Sequence, residues 1–249
     1  MNESLLELSK KIQTIINQGW IKSERCGSTG IGYTLEKLLD IKENNSNFPD
    51  FNLIEIKTSR YQKNGWLTMF CSNPINENNL EIKYLQERFG YPDKLLKNYK
   101  VINEDIYCNQ LGNLGAMYKW KLKLDNKKEI IQIIILDNNL NIIDNNFFWT
   151  YDQIESLFKI KMQNLIFFKM QNKTIQNEEY FKISQIKICK FKNFDNFLKL
   201  IEAGKIKITF TLGIFKSGAR YGQLHNHGTA FRINNKYFDE LFDTIWFNL

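Results

Sequence analysis

Apolar positions recur along this chain with two different periods, and together they predict a mixture of helices and strands. Helical spacing predicts helices over residues 3–18, 34–41, 80–97, 151–159 and 194–203. Runs rich in β-branched and aromatic residues predict strands over residues 53–57, 66–71, 120–124, 130–136, 141–143, 165–170, 180–188 and 206–214. The expected fold class is therefore α/β or α+β, with strand 66–71 in the same central sheet as strand 53–57.

The strand predicted over residues 53–57 has one apolar face and one charged face. Alternation places Glu55 and Lys57 on the same face, about 7 Å apart. Asp50 lies just before the strand, and Pro49 fixes the backbone there, which predicts a rigid turn. Two carboxylates that converge across a short turn attract a divalent cation, and oxygen ligands suit Mg²⁺. A lysine beside them can orient or deprotonate a water and stabilise charge on a phosphate, so this segment favours phosphodiester cleavage.

The same residues also fit an ordinary half-exposed strand, because one apolar face and one charged face are common in antiparallel sheets. The segment upstream favours the catalytic interpretation. Residues 27–41 contain three glycines and then the predicted helix that carries Glu36. If that helix packs across the strand, Glu36 becomes a third carboxylate at the same centre, and otherwise it is a solvated helix residue. Neither glycine-rich phosphate-loop pattern is present, so a nucleotide-cradling loop is not indicated.

Two blocks near opposite ends of the chain resemble one nuclease family. The first is G-x-T-G-I-G-x-T-L-E, followed by P-D-F and I-E-I-K-T. The second is LGIFKSGARYGQLHNHGTAFRI, residues 212–233. Together they resemble the MvaI/BcnI family of type II restriction endonucleases, and more distantly the mismatch-repair nicking enzyme MutH. Agreement of two distant blocks is more specific than either block alone.

The resemblance implies a PD-(D/E)xK restriction-endonuclease-like core, in which a mixed central sheet is flanked by helices, plus a DNA-recognition lobe. We expect a catalytic lobe over residues 1–195, with the active site within residues 27–71, and a recognition lobe over residues 196–249. Members of this family act as monomers on short, nearly palindromic targets and cut the two strands in separate events. The implied partner is double-stranded DNA, with a cognate DNA methyltransferase as the genetic partner.

The resemblance also assigns roles to individual residues. Asp50 and Glu55 would bind the metal together with the carbonyl of Ile56, and Lys57 would position the attacking water. Glu36 would assist the metal centre, either as a ligand or as a hydrogen-bonding neighbour. The expected ion is Mg²⁺, with Mn²⁺ able to substitute, and either one or two ions fit the pattern. In-line attack on phosphorus would leave a 3′-hydroxyl and a 5′-phosphate.

The second block predicts where DNA bases are read. The segment after residue 214 is expected to be a glycine-bounded loop that carries Lys216, Arg220, His225, His227 and Arg232. Such side chains reach base edges in the major groove, where each good pair contributes about 1–3 kcal/mol of discrimination. Arg232 is the preferred base reader, whereas Lys216 and Arg220 are equally suited to phosphates. A metal site at the two histidines is disfavoured because no third ligand lies nearby.

One departure from the family concerns the strand before this loop. Relatives carry an acidic residue and an arginine where Thr209 and Thr211 stand here. Threonine can still bond to a base edge, but it cannot make the bidentate contact that arginine makes with guanine. The resemblance therefore supports the catalytic roles more strongly than it supports any particular target sequence.

Charge and cysteine usage add modest constraints. The 249 residues carry 34 Lys and Arg against 27 Asp and Glu, a net charge of +7, which favours a polyanionic partner. No apolar run of membrane-spanning length occurs, so no membrane partner is expected. The four cysteines lack C-x-x-C spacing, which fits a reducing cytoplasm. Three functional classes follow: a Mg²⁺-dependent restriction endonuclease, a MutH-like nicking enzyme, or a non-catalytic DNA-binding module.

Overall fold

The computed structural model describes residues 3–27, 29–41, 49–51, 53–60 and 65–248. The helices are α1 (Glu3–Asn17), α2 (Gly30–Leu38), α3 (Ile82–Phe89), α4 (Tyr151–Lys161), α5 (Phe194–Glu202) and α6 (Phe238–Leu241), with a short 3-10 turn at Asn235–Tyr237. The strands are β1 (Ile21–Lys22), β2 (Glu55–Arg60), β3 (Trp66–Cys71), β4 (Ile75–Asn76), β5 (Tyr91–Pro92), β6 (Lys100–Ile106), β7 (Gly112–Leu114), β8 (Tyr118–Asp125), β9 (Ile130–Leu136), β10 (Ile142–Asp144), β11 (Phe147–Thr150), β12 (Asn164–Ile175), β13 (Glu178–Phe191), β14 (Ile206–Ile214), β15 (Leu224–Asn234) and β16 (Phe242–Asn248).

These elements confirm the expected mixture of α and β structure with several sheets. Parts of the segment predicted to hold the active site, namely Ser28, Asn52 and residues 42–48 and 61–64, lie outside the described residues. In the described part of the chain, no helix has the length and apolar character that crossing a membrane requires.

The chain divides into two compact units that are interleaved in sequence. Unit 1 comprises Met1–Gly65, Leu157–Lys192 and Asp239–Leu249, and unit 2 comprises Trp66–Ser156 and Asn193–Phe238. This division differs from the single boundary that was expected between residues 195 and 196. The assignment of catalysis and DNA recognition to separate lobes stays a prediction.

Unit 1 is built on one mixed sheet. Its strands run in the order β1-β13-β12-β2, and β16 pairs with β13. The β2–β12 pair is parallel, with Glu55 beside Leu165, and the other pairs are antiparallel. Helices α1 and α2 cover one face, where Leu8, Leu35 and Ile56 lie in one buried cluster. Because side chains alternate along a strand, burial of Ile56 on this face directs Glu55 to the opposite face.

Helix α2 begins one turn earlier than the sequence predicted, and its first turn includes two glycines. A Cβ on Gly30 would lie 2.0 Å from the Arg25 carbonyl oxygen, which is impossible without movement. A Cβ on Gly32 would lie 3.3 Å from Oγ1 of Thr58 on β2. The glycines therefore allow close packing of α2 against the chain around it.

Unit 2 contains two sheets that share an aromatic core. One has the order β4-β11-β9-β8-β7, with β10 on β9, and the other has the order β3-β15-β14-β6-β5. The ring of Phe210 lies 5.0 Å from that of Trp120 and 6.3 Å from that of Trp149. Every residue of β9 is buried, which explains the continuous apolar run that its sequence shows.

The expectation that β3 belongs to the same sheet as β2 is wrong. Strand β3 pairs with β15 in unit 2, where Cys71 lies opposite Ala230. The local pattern predicted the strand correctly, but the pattern of one strand does not specify its partner. Pairing between strands distant in sequence depends on how whole faces pack, which no short window contains.

Candidate functional site

A tight turn precedes the first strand of the candidate site. Phe51 and Ile54 donate backbone hydrogen bonds to each other's carbonyl oxygens at 2.9 and 2.7 Å. Leu53 within this turn has φ +68° and is 73% exposed. The strand therefore starts at Glu55 and not at Leu53 as predicted, because a residue with positive φ leaves the extended conformation.

The turn returns Asp50 to the side of β2. Oδ2 of Asp50 accepts a hydrogen bond from the Ile56 backbone N–H at 2.8 Å. In the described residues β2 is the last strand of its sheet, so this N–H points away from β12 and needs a partner. Asp50 provides that partner and is thereby fixed beside the strand that carries Glu55 and Lys57.

Glu55 is the centre of a cluster of buried charge. Its side chain is 1% exposed, and its Oε1 accepts a hydrogen bond from Nζ of Lys57 at 2.5 Å. Nζ of Lys161, in the last turn of α4, lies 3.7 Å from the same oxygen. The second oxygen, Oε2, is buried and accepts no hydrogen bond from any described residue. A buried carboxylate oxygen without a partner is rare and costly, so it indicates a place for a further positive group.

Several electrostatic effects act on Glu55, and their balance raises the pKa of its carboxyl above the ordinary value of 4.5. Burial is the largest cause because it disfavours the charged form. Lys57 and Lys161 lower the pKa, whereas the charge of Asp50 raises it. The lysines therefore do not fully compensate for the loss of water around this carboxylate.

Lys161 is a neighbour that the sequence did not reveal. The predicted helix ended at residue 159, and a lysine near a helix C-terminus is expected simply because it complements the helix dipole. Its approach to Glu55 follows from the parallel pairing of β2 with β12, since α4 leads directly into β12. No local signal in the sequence marks that pairing.

Glu36 lies on α2 and is half-buried. Its helix packs on the face of β2 that carries Ile56, with Leu35 fully buried there. Among the described residues, no group of three or more His, Cys, Asp or Glu side chains is arranged to hold a metal ion. The structure thus brings Asp50, Glu55 and Lys57 together, and a role for Glu36 at the same centre stays a prediction.

The second set of predicted site residues lies in unit 2, and its local structure differs from the prediction. His225, His227 and Arg232 lie on strand β15 and not in a loop. Gly228 has φ +101°, and the register between β14 and β15 shifts beside it. This is a β-bulge, for which glycine is favoured. The glycines that suggested a loop therefore mark an irregularity within a strand.

Aromatic and cationic side chains stack at the start of β15. The ring of His225 lies 4.0 Å from that of Phe215 and 3.7 Å from that of His227. The guanidinium of Arg220 lies 3.9 Å from the centre of the Phe215 ring. Burial in this stack lowers the pKa of His225, and the nearby His227 and Arg220 lower it further.

Lys216 lies beside a cavity of about 330 Å³ in unit 2, whose lining includes Thr211 and His227. Its Nζ is 3.0 Å from Oδ2 of Asp93. The pKa of the Asp93 carboxyl is lowered to about 2, chiefly because it accepts backbone hydrogen bonds from Leu96 and Leu95, with Lys216 adding to the effect.

Thr209 and Arg232 are two further predicted site residues of unit 2. The hydroxyl of Thr209 donates to Oδ1 of Asp105 at 2.6 Å, and Nζ of Lys207 donates to Oδ2 of the same carboxylate at 2.6 Å. Arg232 lies directly across from Lys207 on the neighbouring strand. Its Nε is buried and has no hydrogen-bond partner within the described residues.

A mixed sheet that presents two carboxylates and a lysine in the order D-x4-E-x-K is the arrangement of a PD-(D/E)xK nuclease. The sequence matches the MvaI/BcnI restriction endonuclease family over residues 9–242. The chain belongs to this family, and it is a type II site-specific deoxyribonuclease. Among the three functional classes considered, membership favours the restriction endonuclease.

Solved structures agree with the family match. The restriction endonuclease MvaI in complex with its cognate DNA substrate superposes with a TM-score of 0.89 at 29% identity, covering 99% of this chain and 99% of that chain. MvaI in the absence of DNA gives a TM-score of 0.60 at 28% identity, covering 99% of this chain and 98% of that chain. Among curated proteins, no sequence matches this chain.

Proposed function

We propose that this chain hydrolyses double-stranded DNA at a specific sequence with Mg²⁺ as its cofactor, and that Mn²⁺ can substitute. Asp50, Glu55 and the Ile56 carbonyl would hold the ion. The observation that carries this proposal is the buried Oε2 of Glu55, which has no partner among the described residues although Asp50 and two lysines surround the carboxylate. Carboxylate and carbonyl oxygens are the ligands that Mg²⁺ prefers.

Each protein group has a distinct role in this proposal. When bound, the ion would supply positive charge at the phosphate that is attacked. Lys57 holds the attacking water in line with the scissile bond and stabilises charge that develops on the phosphate oxygens. Its hydrogen bond to Glu55 fixes the ammonium in place for this task. Glu36 assists from α2, as a ligand or as a hydrogen-bonding neighbour. The products carry a 5′-phosphate and a 3′-hydroxyl.

Contacts to the bases and phosphates come from the polar surface of unit 2. We assign them to Thr209, Thr211, Lys216, Arg220, His225, His227 and Arg232. Most of this surface falls within residues 196–249, whereas the catalytic residues fall within residues 1–195. One chain acts as a monomer on a short, nearly palindromic site and cuts the two strands in separate events. A cognate methyltransferase protects the host DNA in the cytoplasm.

The first test is cleavage of a sequenced plasmid by the purified protein with Mg²⁺. We expect discrete fragments whose ends map to one short sequence. A ligase should rejoin these ends without prior 5′-phosphorylation. Asp50→Ala and Lys57→Ala should each abolish cleavage while circular dichroism shows an unchanged fold. Lys127→Ala, in the exposed β8–β9 turn, is the matched control and should cleave as the wild type does.

Other outcomes would contradict the proposal in different ways. A smear of random fragments argues against sequence specificity. Open circles that accumulate without linear product indicate a nicking enzyme. Cleavage that survives both Asp50→Ala and Lys57→Ala places the active site elsewhere.

A further inference from the structure

One face of the sheet β3-β15-β14-β6-β5 carries an ordered row of polar side chains. Ile206, Ile208 and Phe210 of β14 are buried in the core of unit 2, so the alternate residues Lys207, Thr209 and Thr211 lie on the other face. On β6, Asp105 pairs directly with Thr209 and Asn103 with Thr211. The polar row on β14 therefore continues onto β6.

Asp105 is held in this row by two donors. Lys207 and Thr209 each bond to a different oxygen of its carboxylate at 2.6 Å. Nζ of Lys207 also lies 4.4 Å from the centre of the Trp66 ring. A carboxylate that accepts on both oxygens from groups on a neighbouring strand cannot rotate freely. Its remaining lone pairs therefore point in a fixed direction.

In the ion pair between Asp105 and Lys207, the acidic side chain is more exposed to solvent than the basic one. The Lys207 side chain is 10% exposed, whereas the Asp105 side chain is 35% exposed. A buried lysine needs a counter-charge, and this need alone explains why an acid is present. It does not require the acid to reach solvent. The exposed part of the carboxylate is thus available to a ligand.

A carboxylate on a DNA-binding surface is selective for one kind of base edge. Phosphates repel it, so it weakens non-specific binding. In the major groove it can accept a hydrogen bond from the exocyclic amine of cytosine or adenine, whereas guanine and thymine present carbonyl oxygens there, which repel it. Arg232, two strands away on the same sheet, offers the complementary donor for guanine.

We propose that Asp105 is a specificity-determining residue that accepts a hydrogen bond from an exocyclic amine, cytosine N4 or adenine N6, at one position of the target. Lys207 and Thr209 orient its carboxylate, so Thr209 influences base choice through Asp105 in addition to its own contact with DNA. The inference rests on the proposed function, because it requires that this face of unit 2 contacts DNA.

The test is Asp105→Asn, assayed by cleavage of short duplexes in which each base pair of the target is randomised in turn. The amide keeps the shape of the side chain and an acceptor for Lys207 or Thr209, but it adds an N–H donor. At one base pair, we expect the preference for cytosine or adenine to fall by about 10- to 100-fold. Duplexes with guanine or thymine at that position should be cleaved better than by the wild type, because the amide N–H can donate to their carbonyl oxygens. The base for which the preference falls, cytosine or adenine, is the natural partner of Asp105. All other positions should keep their preference.

Asp152→Asn is the matched control, since it makes the same change in charge on the exposed surface of α4. It should leave every base preference as in the wild type. If Asp105 serves only as the counter-charge of Lys207, Asp105→Asn lowers the melting temperature and changes no base preference. That result would overturn the inference.

A second variant covers the case in which Asp105→Asn does not fold. Thr209→Val removes one of the two donors that orient Asp105, and we expect it to weaken the preference at a single base pair by several-fold. Unchanged preferences in Thr209→Val would then count against the inference. Random cleavage by the wild-type enzyme, in contrast, would refute the proposed function itself.

Discussion

Two carboxylate–lysine pairs, one in each unit, have nearly the same contact distance but different surroundings. Lys57 meets Glu55 at 2.5 Å in unit 1, and Lys207 meets Asp105 at 2.6 Å in unit 2. Glu55 is 1% exposed and keeps one buried oxygen without a partner in the described part of the chain. Asp105 is 35% exposed, and both of its oxygens accept hydrogen bonds.

The Glu55 site therefore has room for an additional positive charge, whereas the hydrogen bonds of the Asp105 site are supplied by the protein itself. The raised pKa of Glu55 reports that burial outweighs its two lysines. Such a group gains from a bound cation, so its environment favours catalysis over stability. The Asp105 group has its donors already in place, which suits a surface that must present a fixed hydrogen-bonding pattern. On the proposed function, a carboxylate–lysine pair therefore serves a different purpose in each unit, and burial decides which.

The largest effect that would test this comparison is expected from Glu55→Gln. The amide keeps the size of the side chain but removes the negative charge, so cleavage should fall by about 1,000-fold or more. Mg²⁺ affinity, measured by calorimetry on the DNA-free protein, should fall as well. Glu77→Gln, which is exposed in unit 2, serves as the control and should retain both properties. Wild-type metal affinity in Glu55→Gln would mean that Glu55 is not a ligand.

An intermediate effect is expected from Lys161, which lies 3.7 Å from Glu55 Oε1. Lys161→Met removes the second ammonium beside this carboxylate and allows it to shift, so the single-turnover cleavage rate should fall by about 10- to 100-fold. Lys161→Arg keeps the charge and should recover part of the rate. Equal losses in the two variants would show that the shape of the side chain matters and its charge does not.

The smallest effect is expected from His225 in unit 2. Its pKa is lowered from the ordinary value of 6.5, mainly by burial, so the imidazole takes up a proton only at a lower pH than an exposed histidine does. The imidazole becomes cationic as the pH falls through this lowered pKa, and the cation attracts phosphates. DNA affinity, measured by fluorescence anisotropy at constant ionic strength, should be flat from about pH 7 to 8 and rise about two- to five-fold at lower pH.

The control for this measurement is His225→Gln, which cannot take up a proton. Its affinity should stay flat over the acidic range in which the wild type gains. A rise of the same size in His225→Gln would assign the effect to another group.

Much of the candidate catalytic site was predictable because its key residues are neighbours in sequence. The alternation of side chains in a strand places Glu55 and Lys57 on one face, and a short turn places Asp50 beside them. The structure reproduces this arrangement, although the strand begins two residues later than expected. The second block was recognisable as well, but its histidines lie on a strand whose bulge had the sequence signature of a loop.

The residues that were missed are brought to their sites by pairing between distant strands. Lys161 reaches Glu55 because β12, which follows α4, pairs with β2. Asp105 meets Thr209 because β6 pairs with β14. Strand β3 was assigned to the wrong sheet for the same reason.

The sequence by itself determined the family, the mixed α and β class and the local order of Asp50, Glu55 and Lys57, since each depends on residue types at short spacing. Only the tertiary structure decided which oxygen of Glu55 has no partner among the described residues, that Lys161 stands beside this carboxylate and that Thr209 donates to Asp105. The physical reason is that burial and long-range strand pairing depend on the packing of whole faces, and packing is a property of the folded chain and not of any one segment.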